Sequence, residues 1–139
     1  MAREVTALPY IIDGGCIQVG SIVHTQLCDR LGIDLPIFAA PMGFVTGQEL
    51  AAAISNAGGL GIMSFSGSPS ALLRDEIRRL RSLTNKPFGV NVLLSGPHLP
   101  FPIEALVDVC LDERVPVLST FWGEPEGARQ ILAQLAKPD

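Results

Sequence analysis

From position 35 onward, short apolar runs alternate with stretches in which apolar residues return every three or four positions. The apolar runs are residues 36–40, 60–64, 88–94 and 115–121. Each is short and bounded by turn residues, which predicts buried strands rather than helices. After the first run, Leu50, Ala53, Ile54 and Ala57 fall at i, i+3, i+4 and i+7 and predict one buried helical face. Thr46, with Glu49 three residues later, reads as a capping box opening that helix. Ser68 and Pro69 read as the cap and first residue of the next helix. Its Leu73, Ile77 and Leu80 point inward, and Arg74, Asp75, Arg78, Arg79 and Arg81 are expected to face water. Residues 84–87 form a turn, and a proline-rich loop spans 95–102. A third helix covers 103–113, with Leu106 and Cys110 on its apolar side. A last one starts at Glu124-Pro125 and places Ala128, Ile131, Leu132 and Leu135 on one face.

The order is strand then helix, four times over, with connections of a few residues. That order predicts an α/β fold of parallel strands joined by right-handed crossovers. Residues 1–24 form an N-terminal extension in which Gly14-Gly15 suits the turn of a short hairpin. Residues 25–31 read as a short helix closed by Gly32. The repeating domain then covers 25–139.

Gly58, Gly59 and Gly61 invite comparison with a phosphate-binding loop. Such a loop follows a strand and opens a helix, whose free N–H groups then face the phosphate. Here the glycines follow a helix and precede a strand, so they are assigned to turning the chain. In parallel α/β folds ligands gather at the opposite, C-terminal ends of the strands. Composition agrees with covered parallel strands: 47% of residues are hydrophobic and 17% charged, with a mean hydropathy of +0.36. The net charge of -4 offers nucleic acid no basic surface. No apolar run approaches the ~20 residues that span a bilayer, and no signal peptide is read, so a cytoplasmic protein is expected. The three cysteines, Cys16, Cys28 and Cys110, lack metal or redox spacing and are expected as reduced thiols.

The strand ends therefore hold the candidate chemistry. Asn91 lies mid-strand among apolar residues, and an unpaired amide there costs roughly 2–7 kcal/mol in transfer terms. It needs a partner, either neighbouring backbone or a ligand. Gly89, on the same face, removes bulk and invites close approach. Met42 alone reads as packing. Ser119, Thr120 and Trp122 suit either packing or a pocket wall. His98 has no Asp or Cys paired with it, and His24 precedes the repeating units, so neither is assigned a catalytic role.

Four segments appear in a telling order and spacing: PIFAAPM, TGQELAAAISNAGGLGIM, RSLTNKPFGVNVLL and VPVLSTFWGEP. Together they resemble the N-terminal half of the nitronate monooxygenase family, also called 2-nitropropane dioxygenase-like proteins, from about residue 27 onward. Flavin-dependent enoyl-acyl carrier protein reductases share much of the pattern. The resemblance implies an FMN enzyme on a (β/α)8 TIM barrel that oxidises alkyl nitronates with dioxygen. It implies that the backbone of Ala40, Pro41, Met42 and Gly43 lies against the flavin ring, and that Asn91 bonds its pyrimidine edge. The flavin carries the redox chemistry and the protein positions it. The family's active-site histidine and phosphate loops belong to the later half, so no residue here receives those roles.

About four of eight barrel units are thus expected, a half-barrel. Its first and last strands would be open edges, and its inner face a large apolar patch. A homodimer through those edges is one expected solution. Two functions follow: an FMN-dependent oxidoreductase of nitronate monooxygenase type, or a non-catalytic half-barrel acting as a remnant or interaction module. A Rossmann-like nucleotide binder is a third, weakened by the missing glycine loop after the first strand.

Overall fold

The computed structural model describes residues 10–12, 15–17, 23–43, 45–65, 69–94 and 102–123, together with 126, 129, 131 and 133. Near the N-terminus, β1 (Tyr10–Ile12) pairs antiparallel with β2 (Gly15–Ile17), Ile12 opposite Gly15. Gly15 therefore opens a strand, and Gly14 lies outside the described residues. Helix α1 (Gln26–Leu31) ends at Gly32, whose N–H donates to the Cys28 carbonyl.

The repeating part has α2 (Gln48–Asn56), β3 (Gly61–Phe65), α3 (Ser70–Leu83), β4 (Phe88–Leu93), α4 (Ile103–Asp112) and β5 (Val117–Phe121). The three strands form one sheet in the order β3-β4-β5, all parallel. The first expected strand is reduced to a single parallel bridge, Phe38 with Leu60. Two backbone bonds hold it: Ala39 N–H to the Leu60 carbonyl at 2.9 Å and Leu60 N–H to the Ile37 carbonyl at 2.8 Å. Sequence order and spatial order thus coincide from residue 38 to β5. A doubly wound nucleotide-binding sheet reverses its strand order partway; among the described residues no reversal occurs. Helices α2, α3 and α4 pack together on one face. Their Ala51, Ala52, Leu73, Ile77, Leu80, Leu106, Val109 and Cys110 enclose Met63, Phe65, Phe88, Val90 and Val92 from the strands. The arrangement is singly wound, as in a (β/α) barrel wall.

Several local expectations are corrected. The buried face of α2 is Ala51, Ala52 and Ser55, whereas Leu50, Ala53 and Ala57 are exposed and Ile54 is half-buried. The helix sits directly on β3: a Cβ on Gly61 would lie 1.8 Å from the Ala51 carbonyl oxygen. Only small side chains fit between backbones that close, so alanine and serine take the seam. Thr46 is not the cap; Gly47 is, without a side-chain hydrogen bond. Pro69 is the cap of α3 rather than its first residue, and Ser68 lies outside the described residues. The arginines of α3 do not simply face water. Arg74 and Arg78 both bond Glu113, and Arg79 pairs with Glu49. Of the last expected helix face, Ile131 is described and buried, while Ala128, Leu132 and Leu135 lie outside.

The glycines do turn the chain. Gly58 has φ +97°, a conformation that side chains rarely adopt, and its carbonyl accepts the N–H groups of Asp34 and Leu35, both at 2.9 Å. The Gly61 N–H donates to the Ser55 hydroxyl at 3.1 Å. Below the sheet, Cys28 and Ile33 pack against Ala39, Leu60 and Ile62, closing the N-terminal end of the face that the helices leave open.

Candidate functional site

Alternation along β4 sorts its residues between two faces. Val90 and Val92 are fully buried on the helix side. Gly89 and Asn91 point the other way. The register puts Ser64, Asn91 and Ser119 side by side on three adjacent strands, a polar row across the face opposite α2, α3 and α4. Asn91 is 5% exposed. Its Nδ2 donates to the Ser119 Oγ at 2.9 Å. Its Oδ1 accepts no hydrogen bond among the described residues. Among the described residues, the amide is thus satisfied at one end, by a side chain and not by neighbouring backbone.

Gly89 is approached closely by the neighbouring strands. A Cβ there would come within 3.2 Å of the Ile62 side chain and 3.3 Å of the Val117 carbonyl oxygen. Its missing side chain makes room for the neighbouring strands.

The loop of Ala40, Pro41, Met42 and Gly43 is fastened by Thr46, which is 1% exposed. The Thr46 hydroxyl accepts from the Met42 N–H at 3.0 Å and donates to the Ala40 carbonyl at 3.1 Å. The Met42 carbonyl accepts the N–H groups of Val45 and Thr46, and the Ser64 N–H donates to the Thr46 carbonyl at 2.9 Å. The loop is therefore docked beside Ser64, the row neighbour of Asn91. Met42 itself is 45% exposed and is no core filler. The sequence reading missed this role of Thr46, because a threonine three residues before a glutamate carries the same signature as a helix cap.

At the end of β5, Phe121 and Trp122 stack with ring centroids 5.2 Å apart, and both are exposed. Thr120 is exposed too, so only Ser119 of the expected hydroxyl pair joins the row. His24 lies with α1, away from the strand ends. Its ring bonds Asp29 Oδ1 at 2.8 Å, and that bond raises its pKa above the ordinary value. His98 lies outside the described residues. Cys28 and Cys110 are buried and unpaired with each other, and burial pushes the Cys110 thiol up to about 12. Among the described residues no cluster of three or more His, Cys, Asp or Glu could hold a metal ion. No described helix is long and apolar enough to cross a membrane.

Comparison with known proteins gives this geometry a context. Residues 24–131 match the family model described as nitronate monooxygenase. A nitronate monooxygenase of Pseudomonas aeruginosa is 44% identical over 95 residues, which are 68% of this chain and 26% of that protein. Among solved structures, FabK from Thermotoga maritima superposes with a TM-score of 0.69 at 39% identity, over 80% of this chain and 35% of that one. A nitroalkane oxidase from Streptomyces ansochromogenes superposes with a TM-score of 0.63 at 33% identity, over 77% and 39%. The chain spans about a quarter of the length of the Pseudomonas relative.

Proposed function

This chain belongs to the nitronate monooxygenase family, and from that premise we propose that it forms the ring-facing wall of an FMN site in a flavin-dependent oxidoreductase. The observation that carries the reading is the nearly buried Asn91, whose Oδ1 has no partner among the described residues, set on the face opposite α2, α3 and α4 beside the docked loop of Ala40, Pro41, Met42 and Gly43. The pyrimidine edge of a flavin presents an imide N–H between two carbonyls. An amide oxygen held in a fixed orientation is a suitable acceptor for that N–H. The loop, tied at Ala40 and Met42 by one hydroxyl, offers a rigid backbone edge for the flat ring to lie against. When bound, FMN would supply the redox chemistry for oxidising an alkyl nitronate with dioxygen. The chain's own part is to orient the ring and to exclude water from one side of it.

The fit covers the ring and not the phosphate. Arg81 and Lys86 lie at the other end of β4, engaged with the Glu113 carbonyl and Asp34. The phosphate contacts and the catalytic base are assigned to no residue of this chain. FMN titration of the 139-residue chain, followed by quenching of flavin fluorescence, tests the reading. Asn91→Ala is expected to weaken binding about tenfold, the loss of one well-placed hydrogen bond. Unquenched flavin with the unaltered chain would overturn the assignment. Turnover of ethyl nitronate or propionate 3-nitronate by FMN-loaded protein separates nitronate oxidation from enoyl reduction.

A second reading, a non-catalytic half-barrel of four units, draws support from the open edges. Ile37 and Phe38 at one side and Phe121 at the other are exposed. For the chain by itself, we propose that a second copy covers these edges.

A further inference from the structure

We propose that Thr46 is a positioning residue for the flavin: its hydroxyl fixes the backbone of residues 40–43 before FMN arrives, so the ring meets a loop already in shape. The inference rests on the FMN reading above and adds to it the residue that sets the loop's path. Among the described residues, the last ladder bond before this loop runs from the Ala39 N–H to the Leu60 carbonyl. Beyond it, Pro41 has no N–H to donate, and Ala40, Met42 and Gly43 are exposed. Burial of their own side chains therefore does not hold these residues. A loop free to take several paths binds a ligand more weakly, in proportion to the time it spends off the competent one.

Thr46 removes that freedom from beneath. It is 1% exposed, although Val45 before it is 63% exposed. Its Oγ1 accepts the Met42 N–H at 3.0 Å and donates to the Ala40 carbonyl at 3.1 Å. Both partners are backbone groups with one role each, an N–H that donates and a carbonyl that accepts, so the direction of both bonds is settled. Together they span Pro41 and aim two backbone groups at one atom. The Thr46 N–H returns to the Met42 carbonyl at 2.9 Å. On its other side, the Thr46 carbonyl accepts the Ser64 N–H at 2.9 Å, and Ser64 lies opposite Asn91 in the register. One residue thus joins the loop to the polar row, the two parts of the proposed ring-facing wall.

The test compares Thr46→Ser, which keeps the hydroxyl, with Thr46→Val, which keeps the outline and removes it, using FMN as the probe in the full chain. FMN binding is expected to weaken about three- to tenfold in the Val variant and to stay within about twofold in the Ser variant, as the loss of a neutral hydrogen bond predicts. Glu113→Gln, which loosens the contact between α3 and α4, controls for lost stability and should bind FMN as the unaltered chain does. At saturating FMN, the visible circular dichroism of the bound flavin should change in the Val variant alone, because the ring then lies against a different backbone. A further measurement needs no variant: hydrogen exchange at the Met42 amide should already be slow in the FMN-free chain. Rapid exchange there, slowed only by added FMN, would overturn the inference. So would equal FMN binding by the Ser and Val variants, or an equal loss in Glu113→Gln and Thr46→Val; each leaves the FMN reading in place. No binding by the unaltered chain would overturn both.

Discussion

Thr46 shows how much a single buried hydroxyl can hold. Its Oγ1 is both donor and acceptor for a loop that has little else to fix it, and its carbonyl ties that loop to β3. Thr46→Val keeps the shape and removes both bonds. It is expected to destabilise the chain by about 1–3 kcal/mol, because the Met42 N–H loses its partner. Thr46→Ser should retain most of the stability, and urea denaturation of the two variants measures the difference. A Val variant as stable as the Ser variant would remove the loop-fastening role. Cysteine reactivity belongs to the same scale. Cys28 and Cys110 are 0% and 4% exposed, and burial keeps the Cys110 thiol protonated at neutral pH. Mass mapping after thiol labelling of the native chain should find both unmodified, and labelled under denaturant. Asn91 was legible as an anomaly, a polar residue in an apolar strand. Its partner was not, because Ser119 is 28 residues away and register between strands is a tertiary fact.

At the scale of elements, α3 and α4 are joined by a clamp around Glu113. Arg74 Nη1 and Arg78 Nε donate to Glu113 Oε1 at 2.9 and 3.0 Å, Arg74 Nη2 reaches Asp112 at 2.8 Å, and Arg81 donates to the Glu113 carbonyl at 2.6 Å. The bond from Arg78, with that from Arg74, holds the Glu113 carboxyl below its ordinary range against the opposing effect of burial. A lowered carboxyl pKa contributes stability above the unfolded value and loses it as pH falls through the folded value. Glu113→Gln should therefore cost about 1–2 kcal/mol at neutral pH, given the part-exposed arginines. The gap between its melting temperature and that of the unaltered chain should close in acid. A gap independent of pH would show that the charge is immaterial. The charged face of α3 was visible in its sequence, but the carboxyl it grips lies 35 to 39 residues away. The α2–β3 seam makes the complementary point. Gly61→Ala sets a methyl against backbone rather than a movable side chain, so a loss of about 3 kcal/mol or more is expected by denaturant unfolding. A near-neutral Gly61→Ala would mean that helix and strand are less closely apposed.

For the whole molecule, the reading that a second copy covers the sheet edges is the one to test. Among the described residues, the sheet ends at β5 on one side and at the single Phe38–Leu60 bridge on the other. Ile37, Phe38, Phe121 and Trp122 stand there with 42–68% of their surface exposed. Sedimentation equilibrium of the chain alone should show self-association, and Phe38→Lys with Phe121→Lys should shift it toward monomer. A monomer at high concentration in the unaltered chain would contradict coverage by a second copy.

Periodicity along the chain was enough to determine the kind and order of the elements, the glycines as turns and the inward face of α3, because these depend on residues within a few positions of one another. Tertiary structure alone decided the rotation of α2, the shrinking of the first strand to one bridge, the roles of Thr46 and Gly89, and the partner of Asn91. Each of those is fixed by how closely two backbones approach or by which residues fall opposite across a sheet. Those distances are set only when the chain has closed on itself.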